Sequence, residues 1–384
     1  MKTLYKYLLL AFLIENVMTQ TFLMGFMSEF LFYPFLTLGI LAFANPELWK
    51  AKNLSRFSCL YILMALYILY EFSIGAEYIN ERTLYYLVAK IATFGIIISG
   101  IIYGEDFYKD KAVIILVTFM AFFLCYGIIT GENVVMGGTG RIRAGYTNEN
   151  TTGTMGALTA GMLLFYMRNR KWNAFYAILL IIGCYGIFAG ASRAGFLMLF
   201  LMVILRFGLN LKTFLFILFV GAIGIFLLPS IGLDTVGMQR MIDTYNGVEG
   251  SNREPERLAA EWMIAQRPWT GWGYEAVNQG YALVLSNLAS HNGYLEVSKQ
   301  MGIPCAMICF LTIGISLLRD WLTKSKYNES MQVFLALALM LLVKANYESL
   351  FIGVHEYETN LFFFALAMSS YHTYMLKHNR KVLK

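Results

Sequence analysis

Residues 83–103, TLYYLVAKIATFGIIISGIIY, contain one charged side chain, that of Lys90. At about 1.5 Å per residue, a helix of this length spans the hydrocarbon core of a bilayer, which is about 30 Å thick. Similar apolar runs recur along the 384 residues, of which 58% are hydrophobic and only 14% are charged. A soluble domain carries roughly 25% charged residues, because its surface must be wetted. The composition therefore excludes an ordinary globular protein and predicts an all-α polytopic membrane protein.

The hydropathy pattern, read with breaks at charge clusters and at Gly or Pro, predicts about twelve transmembrane helices. They are expected at 4–24, 27–45, 57–76, 83–103, 112–131, 151–167, 173–190, 194–209, 211–230, 293–317, 329–347 and 358–376. We predict a single integral membrane domain over 1–384, with one long loop at 229–292 between the ninth and tenth spans.

The distribution of basic residues predicts the orientation of the chain in the membrane. With the N-terminus inside, most of the 30 Lys and Arg residues fall in the inner segments, as the positive-inside rule requires. Both termini are then cytoplasmic, and the loop at 229–292 faces outward. The basic residues of the outer segments are all arginine: Arg82, Arg141, Arg143, Arg193, Arg240, Arg253, Arg257 and Arg267.

An outer face with arginine as its only basic residue favours a site for a phosphorylated substrate. Charge topology needs only a cation, so lysine would serve as well. Arginine offers a planar fork that binds phosphate through two hydrogen bonds and stays charged when partly buried. Chance use of arginine in a small set of residues is the alternative explanation.

The long outer loop contains a predicted amphipathic helix. The segment SNREPE at 251–256 is typical of a helix start, since Ser and Asn cap, Pro fits the first turn and acids favour the positive end. Pro268 and Gly271, in the motif RPWTGWG at 267–273, end the predicted helix. Arg253 lies beside a helix N-terminus that already favours an anion, and Arg257 is spaced to pair with Glu261. The alternative is that both arginines only pair with Glu254, Glu256 or Glu261 in solvent. An apolar stripe is expected from Leu258, Ala259, Trp262 and Met263. We expect this helix to lie flat at the outer membrane surface.

Two further outer residues stand out. Arg193 occupies a tight connection, ASRAG at 191–195, and an arginine near membrane depth costs about 2.5 kcal/mol or more unless it is paired or wet. His291 stands at the junction of the long loop and the tenth span, where a neutral imidazole can accept a proton from a hydroxyl group. A lone histidine is more often a capping or interfacial residue. His355, between the last two spans, is a weaker candidate.

The remaining polar outer segment runs from Arg141 through Arg143 to Asn150 and then enters a predicted helix. Residues 153–161 of that helix carry Gly and Ala on one face, a pattern that allows close helix packing and needs no functional explanation. The chain contains no Asp-x-Asp, no metal-ligand set and no Gly-Lys-Ser/Thr phosphate loop. These absences disfavour a metal- or nucleotide-driven mechanism.

Five motifs, in this order, resemble the O-antigen ligase/polymerase superfamily of bacterial membrane glycosyltransferases. They are RAGYTNEN at 143–150, SRAG at 192–195, SNR at 251–253, MIAQRPWTGWG at 263–273 and HNGY at 291–294. The helical layout with one long outer loop late in the chain is also similar, so the resemblance covers most of the length. Arg257 departs from the family pattern, which often has an aromatic residue at that place.

The resemblance implies a fold of the GT-C type and an inverting, metal-independent transfer from an undecaprenyl-diphosphate-linked glycan, with no cofactor. In that mechanism Arg193 and Arg253 would hold the diphosphate, and Arg143 and Asn150 would line the donor or acceptor groove. His291 would position or deprotonate the acceptor hydroxyl. The remaining expected substrate-binding residues are Arg141, Arg257 and Tyr294.

The expected partners are the lipid-linked glycan donor and acceptor, membrane lipid, and a chain-length regulator and a flippase. No nucleic acid is expected. The implied location is the bacterial cytoplasmic (inner) membrane. Within the superfamily we favour a polymerase that joins repeat units, because the SRAG motif is closer to that branch. A ligase that transfers glycan to lipid A-core, or an enzyme that transfers it to protein, is the alternative.

A transporter or flippase for a lipid-linked sugar is the alternative from another class. Transporters tend to contain helices broken near mid-membrane, and here only Pro34 and Pro304 fall within predicted spans. Lys90 and an i,i+4 pair of Lys344 with Glu348 are candidates for an ion path, although such a pair near a span end is more often structural.

Overall fold

The computed structural model describes residues 2–23, 31–130, 142–222, 254–274, 290–323, 332–354 and 356–382. Within these ranges the chain is helical and contains no β-strand, only an isolated bridge between Thr21 and Tyr146. The prediction of an all-α fold is therefore confirmed for the part of the chain that is described.

The main helices are numbered in chain order, and every predicted span overlaps one of them. They are α1 (Lys2–Met18), α2 (Phe32–Phe43), α3 (Ala51–Arg56), α4 (Ser58–Phe72), α5 (Glu81–Lys109), α6 (Lys111–Thr130), α7 (Glu149–Tyr166), α8 (Ala174–Gly190), α9 (Arg193–Phe207), α10 (Leu211–Ala222), α11 (Glu254–Gln266), α12 (Gly293–Thr323), α13 (Gln332–Lys344) and α14 (Tyr357–Val382).

Two of these helices, α5 and α12, are long and apolar enough to cross a membrane by length and composition. Shorter apolar helices accompany them at Tyr33–Phe43, Ser58–Phe72, Lys111–Tyr126, Ala174–Gly190 and Gln332–Lys344. This set is compatible with an integral membrane protein, as the composition predicts. The count of twelve spans stays a prediction.

Contacts between residues group the chain into two compact units. The first comprises Met1–Asn16, Ser28–Glu105 and Ser251–Lys384, and the second comprises Val17–Met27 and Asp106–Gly250. A single integral membrane domain over 1–384 stays a prediction. Of the loop predicted at 229–292, only 254–274 and 290–292 belong to the described residues.

In the second unit, α7 is the central helix, and its residues from Thr151 to Phe165 are buried. It packs against α6, α8 and α9. The small residues predicted to allow close approach lie at these contacts. A Cβ atom added to Gly156 would lie 2.6 Å from the carbonyl oxygen of Gly183 and 2.7 Å from the amide nitrogen of Ile187, both in α8. Glycine is therefore required at 156 by the neighbouring backbone, which cannot move aside as a flexible side chain would.

We expect Gly156→Ala to destabilise the protein by about 1–3 kcal/mol, because the added methyl group overpacks a backbone contact. The measurement is the thermal unfolding midpoint of detergent-solubilised protein, which should fall by several degrees. Gly314→Ala in α12 is the matched control, since a Cβ atom there meets nothing within 4 Å. Equal midpoints for the two variants would contradict the packing argument.

In the first unit, α12 is broken one third of the way along. Gly302 has φ +74°, outside the helical region, and Pro304 has no N–H to donate to the carbonyl oxygen of Gln300. That oxygen instead accepts from the hydroxyl of Tyr70 at 2.6 Å and from the N–H of Gly273 at 3.0 Å. The RPWTGWG motif, predicted only to end the preceding helix, thus also caps the break in α12.

Candidate active site

His291 lies at the start of α12 in a backbone conformation that histidine rarely adopts. Its φ is +47°, in the left-handed region. The next residue, Asn292, holds the turn, since its Oδ1 accepts from the N–H groups of Tyr294 at 3.0 Å and Leu295 at 3.1 Å. Strained backbone of this kind clusters at functional sites, where surrounding contacts fix it. The turn that Asn292 caps therefore sets the orientation of the His291 ring.

Two carboxylates flank the imidazole of His291. Its Nδ1 lies 3.2 Å from Oε2 of Glu348, within hydrogen-bond distance, whereas its Nε2 lies 3.7 Å from Oε2 of Glu256. A proton on Nδ1 can be donated to Glu348, which leaves the lone pair of Nε2 able to accept a proton. Both carboxylates attract the positive charge that the ring acquires when it does so. This arrangement suits a general base.

Backbone hydrogen bonds tie the segment after α13 to the start of α12. The N–H of Gly293 donates to the carbonyl oxygen of Ala345 at 2.7 Å. The side-chain Nδ2 of Asn292 lies 3.5 Å from the carbonyl oxygen of Asn346. Glu348 follows two residues later. The contact between Glu348 and His291 is therefore part of a fixed connection between two helix ends.

The predicted pairing of Lys344 with Glu348 is wrong. Lys344 forms an ion pair with Glu358 of α14, and Glu348 contacts His291 instead. The reason is that α13 ends at Lys344, so that residues 344 and 348 are no longer one helical turn apart. Helical spacing beyond the end of a helix carries no information on contact.

Lys90 holds the segment that follows Glu348, between α13 and α14. Its buried Nζ donates to the carbonyl oxygens of Phe351 at 2.9 Å and Gly353 at 2.6 Å. Burial raises the pKa of the nearby Glu356 carboxyl to about 7, and the positive charge of Lys90 opposes that rise. The hydroxyl of Thr359 also donates to Glu356. Lys90 therefore has direct structural partners in the turn that follows Glu348.

The predicted outer helix exists as α11, and it orients two residues toward His291. Besides Glu256, it carries Arg257, whose Nε lies 3.4 Å from Oε1 of Glu261 as the i,i+4 spacing predicts. The predicted apolar stripe is divided between two environments. Ala259 and Met263 are buried, whereas Leu258 and Trp262 are 52% and 47% exposed. That the helix lies at the membrane surface stays a prediction.

A pocket of about 420 Å³ opens beside His291, and we call it the His291 pocket. It is lined by Glu254 and Arg257 of α11, by residues 290–292, and by Asn346 and Tyr347. Its volume is in the range of small-molecule sites. Arg257 is thus brought to the candidate site, although its charge is shared with Glu261.

The second unit brings together the other predicted residues. Nε of Arg143 lies 3.8 Å from Oε2 of Glu149, and the hydroxyl of Thr152 donates to the carbonyl oxygen of Arg143. Asn150 lies in the same first turn of α7. Arg193 is the first residue of α9, and the preceding Ser192 packs against Gly153 of α7. The RAGYTNEN and SRAG motifs therefore meet at the N-terminal ends of two packed helices.

Four predicted residues are not part of either cluster as described. Arg141 and Arg253 lie outside the described residues, as does His355. The Tyr294 hydroxyl donates to the carbonyl oxygen of Leu342 at 2.8 Å, and its ring packs against Phe310. A role for Tyr294 in substrate binding stays a prediction beside this structural one.

Sequence reasoning missed both carboxylates that contact His291. Glu256 was interpreted as a helix-start acid or a partner of the nearby arginines, and Glu348 only as a partner of Lys344. Neither spacing signals a histidine contact, because 57 residues separate His291 from Glu348. Within the described ranges, no group of three or more His, Cys, Asp and Glu side chains is arranged to hold a metal ion.

The apolar helices are compatible with an integral membrane protein, and the histidine held between two carboxylates forms a candidate acid–base site. Residues 177–311 match the family model described as O-Antigen ligase. This match confirms the resemblance to the O-antigen ligase/polymerase superfamily, whose members are glycosyltransferase-like enzymes. The matched region includes Arg193 and His291, and it ends before Glu348. No curated protein matches the chain.

Proposed function

We propose that the protein is a membrane glycosyltransferase that polymerises undecaprenyl-diphosphate-linked repeat units at the outer face of the bacterial cytoplasmic membrane. The observation that carries the proposal is the His291 ring, which lines a pocket, with Nδ1 held by Glu348 at 3.2 Å and Nε2 at 3.7 Å from Glu256. A transfer to a sugar hydroxyl needs a base within hydrogen-bond reach of that hydroxyl. The family match supports the reaction class.

In the proposed reaction, the acceptor hydroxyl oxygen attacks the anomeric carbon of the donor sugar and forms the new glycosidic bond. The hydroxyl proton moves to Nε2 of His291. The bond between the anomeric carbon and the phosphate oxygen breaks, and undecaprenyl diphosphate leaves with the electron pair. A single displacement inverts the anomeric carbon.

The carboxylates and the arginines have different tasks in this proposal. Glu348 and Glu256 stabilise the imidazolium that forms as the proton is taken up. Arg193, Arg253 and Arg143 bind the phosphates, and their charges and hydrogen bonds offset the negative charge that develops on the leaving group. Asn150 and Arg141 are proposed to contact the glycan. No metal ion, cofactor or nucleic acid is required.

A ligase that transfers glycan to lipid A-core, or to protein, would use the same chemistry, and the family description itself names a ligase. The two activities differ in the acceptor rather than in the reacting groups. We favour the polymerase on the form of the SRAG motif at 192–195. A chain-length regulator and a flippase are proposed as its working partners, with both termini in the cytoplasm.

Transport of a lipid-linked sugar is a weaker candidate. The break in α12 resembles the discontinuous helices of transporters, whose freed backbone groups bind substrate or ions. Here the freed carbonyl oxygen of Gln300 already accepts from Tyr70 and Gly273. Lys90 is likewise engaged by two carbonyl oxygens. These contacts favour a structural role for both features.

The test is an in vitro assay of the purified full-length protein with its lipid-linked repeat unit, alone and with a lipid A-core acceptor. A ladder of products from the repeat unit alone supports the polymerase. A product that forms only with the core acceptor supports the ligase. If neither forms, while the protein moves the lipid-linked sugar across vesicle membranes, the enzyme proposal is wrong.

A further inference from the structure

The occupant of the His291 pocket follows from the chemistry of its wall. The inference rests on the glycosyl transfer proposed above, because a base must lie about 2.6–3.2 Å from the hydroxyl that it deprotonates. The sugar ring that carries this hydroxyl must therefore sit in the space into which His291 opens. That space is the pocket of about 420 Å³.

The charges of the described lining residues favour an uncharged occupant over the diphosphate. Glu254 lines the pocket, and Glu256, on the same helix, lies 3.7 Å from Nε2 of His291, a lining residue, so that both carboxylates would repel a phosphate bound there. Among the described residues that line the pocket, the permanent cation is Arg257, which is paired with Glu261 at 3.4 Å. An uncharged, hydroxyl-rich ligand fits this wall better than an anion does.

Part of the wall is occupied in holding the turn. The hydroxyl of Ser290 donates to the carbonyl oxygen of Asn292 at 3.1 Å, and Oδ1 of Asn292 accepts from two backbone N–H groups of α12. Their side chains set the shape of the pocket more than its specificity. Contacts that distinguish one sugar from another then fall to Glu254, Asn346 and Tyr347.

We propose that the His291 pocket is the subsite for the terminal sugar of the acceptor glycan. Tyr347, whose surface is 44% exposed, offers a flat ring against which the C–H face of a pyranose can stack. Glu254 offers a carboxylate that can accept hydrogen bonds from the sugar hydroxyls. Asn346, whose Nδ2 donates to the carbonyl oxygen of Val343 at 3.1 Å, offers its Oδ1 as an acceptor. Tyr347 precedes Glu348 in the chain, so the stacking surface and the partner of the base are fixed by one turn.

The test varies the acceptor at a constant donor concentration. A repeat unit on a short, water-soluble lipid is the varied acceptor, and the full-length undecaprenyl-linked repeat unit is kept saturating. We expect Tyr347→Ala to raise the KM for the acceptor by about tenfold, because a stacked ring contact is lost, while kcat changes little. Tyr347→Phe keeps the ring and should stay near wild type. Glu254→Gln should also raise that KM.

Tyr85→Ala is the matched control, because Tyr85 is an exposed tyrosine near the same predicted outer side and lies outside the pocket. An unchanged acceptor KM in Tyr347→Ala, or a fall in kcat alone, would overturn the subsite. An inactive wild-type enzyme would overturn the proposed function instead of the subsite.

In that case, sugar binding tests the subsite, measured by saturation-transfer NMR with a panel of methyl hexosides. The subsite is supported if the wild type and Tyr85→Ala give signals that Tyr347→Ala lacks. Equal signals in all three proteins, or none in the wild type, overturn it.

Discussion

His291→Ala should reduce glycan transfer by about 10²–10⁴-fold, the usual contribution of a general base. The loss should appear in kcat, since the ring acts on the acceptor proton in the transition state and contributes less to binding. His291→Gln should be equally impaired, because an amide can form hydrogen bonds but cannot take up the proton. The measurement is chain extension by the purified protein on its lipid-linked repeat unit.

His378→Ala is the control for this prediction. His378 is exposed near the C-terminal end of α14, where Nδ1 lies 3.0 Å from the carbonyl oxygen of Tyr374, and nothing links it to the candidate site. It should extend glycans at the wild-type rate. Normal ladders from His291→Ala would remove His291 from the mechanism.

The same assay measures how much the contact of Glu348 with His291 contributes to the rate of glycan transfer. Glu348→Gln can still accept a hydrogen bond from Nδ1 but carries no charge to stabilise the imidazolium. We expect kcat to fall by about tenfold or more, with the acceptor KM unchanged, and Glu348→Asp to recover part of the loss. A change confined to protein yield would mean that Glu348 acts only in folding.

Arg193→Ala should reduce transfer by about 10²–10³-fold, since the leaving diphosphate loses a charged hydrogen-bond donor. Helix stability does not explain an arginine at this place. Arg193 is the first residue of α9, and a cation at the positive end of a helix costs about 0.3–1 kcal/mol. The Ser192 hydroxyl accepts from the N–H of Gly195 at 3.2 Å, so the turn is capped without the arginine. The guanidinium is exposed, and we propose that it binds the anionic leaving group.

Arg193→Lys separates phosphate recognition from simple charge. It should remain impaired by about tenfold, because a lysine ammonium cannot form the paired hydrogen bonds of a guanidinium. Arg82→Ala is the matched control, since Arg82 is an exposed arginine in the first turn of α5 on the same predicted side. If Arg193→Lys were fully active, or if Arg82→Ala lost as much activity, the arginine would be no more than a topological charge.

Local patterns in the sequence predicted the features that depend on neighbouring residues. The apolar runs predicted helices because backbone groups in lipid must be satisfied within each segment. SNREPE at 251–256 and Pro268 bracketed α11, which spans Glu254–Gln266. The i,i+4 pair of Arg257 and Glu261 was predicted for the same reason. His291 was singled out by its position at the end of the one long loop.

Contacts between distant segments were not predictable in this way. The RPWTGWG motif was expected to end a helix, and its role in capping Gln300 depends on the break that Gly302 and Pro304 introduce into α12. Lys90 lies 261 residues before Phe351, which it holds. A single sequence carries no signal that links such positions.

The sequence by itself predicted a helical membrane protein and showed a resemblance to the O-antigen ligase/polymerase superfamily, because hydropathy and motif order are local properties of the chain. Only the tertiary structure decided that Glu348 contacts His291 rather than Lys344. The physical reason is that α13 stops at Lys344, and the turn that follows carries the carboxylate away from its own helix to a ring 57 residues earlier in the chain. The arginines of the predicted outer face were visible in the sequence, whereas the carboxylates around the histidine became apparent only when the chain was folded.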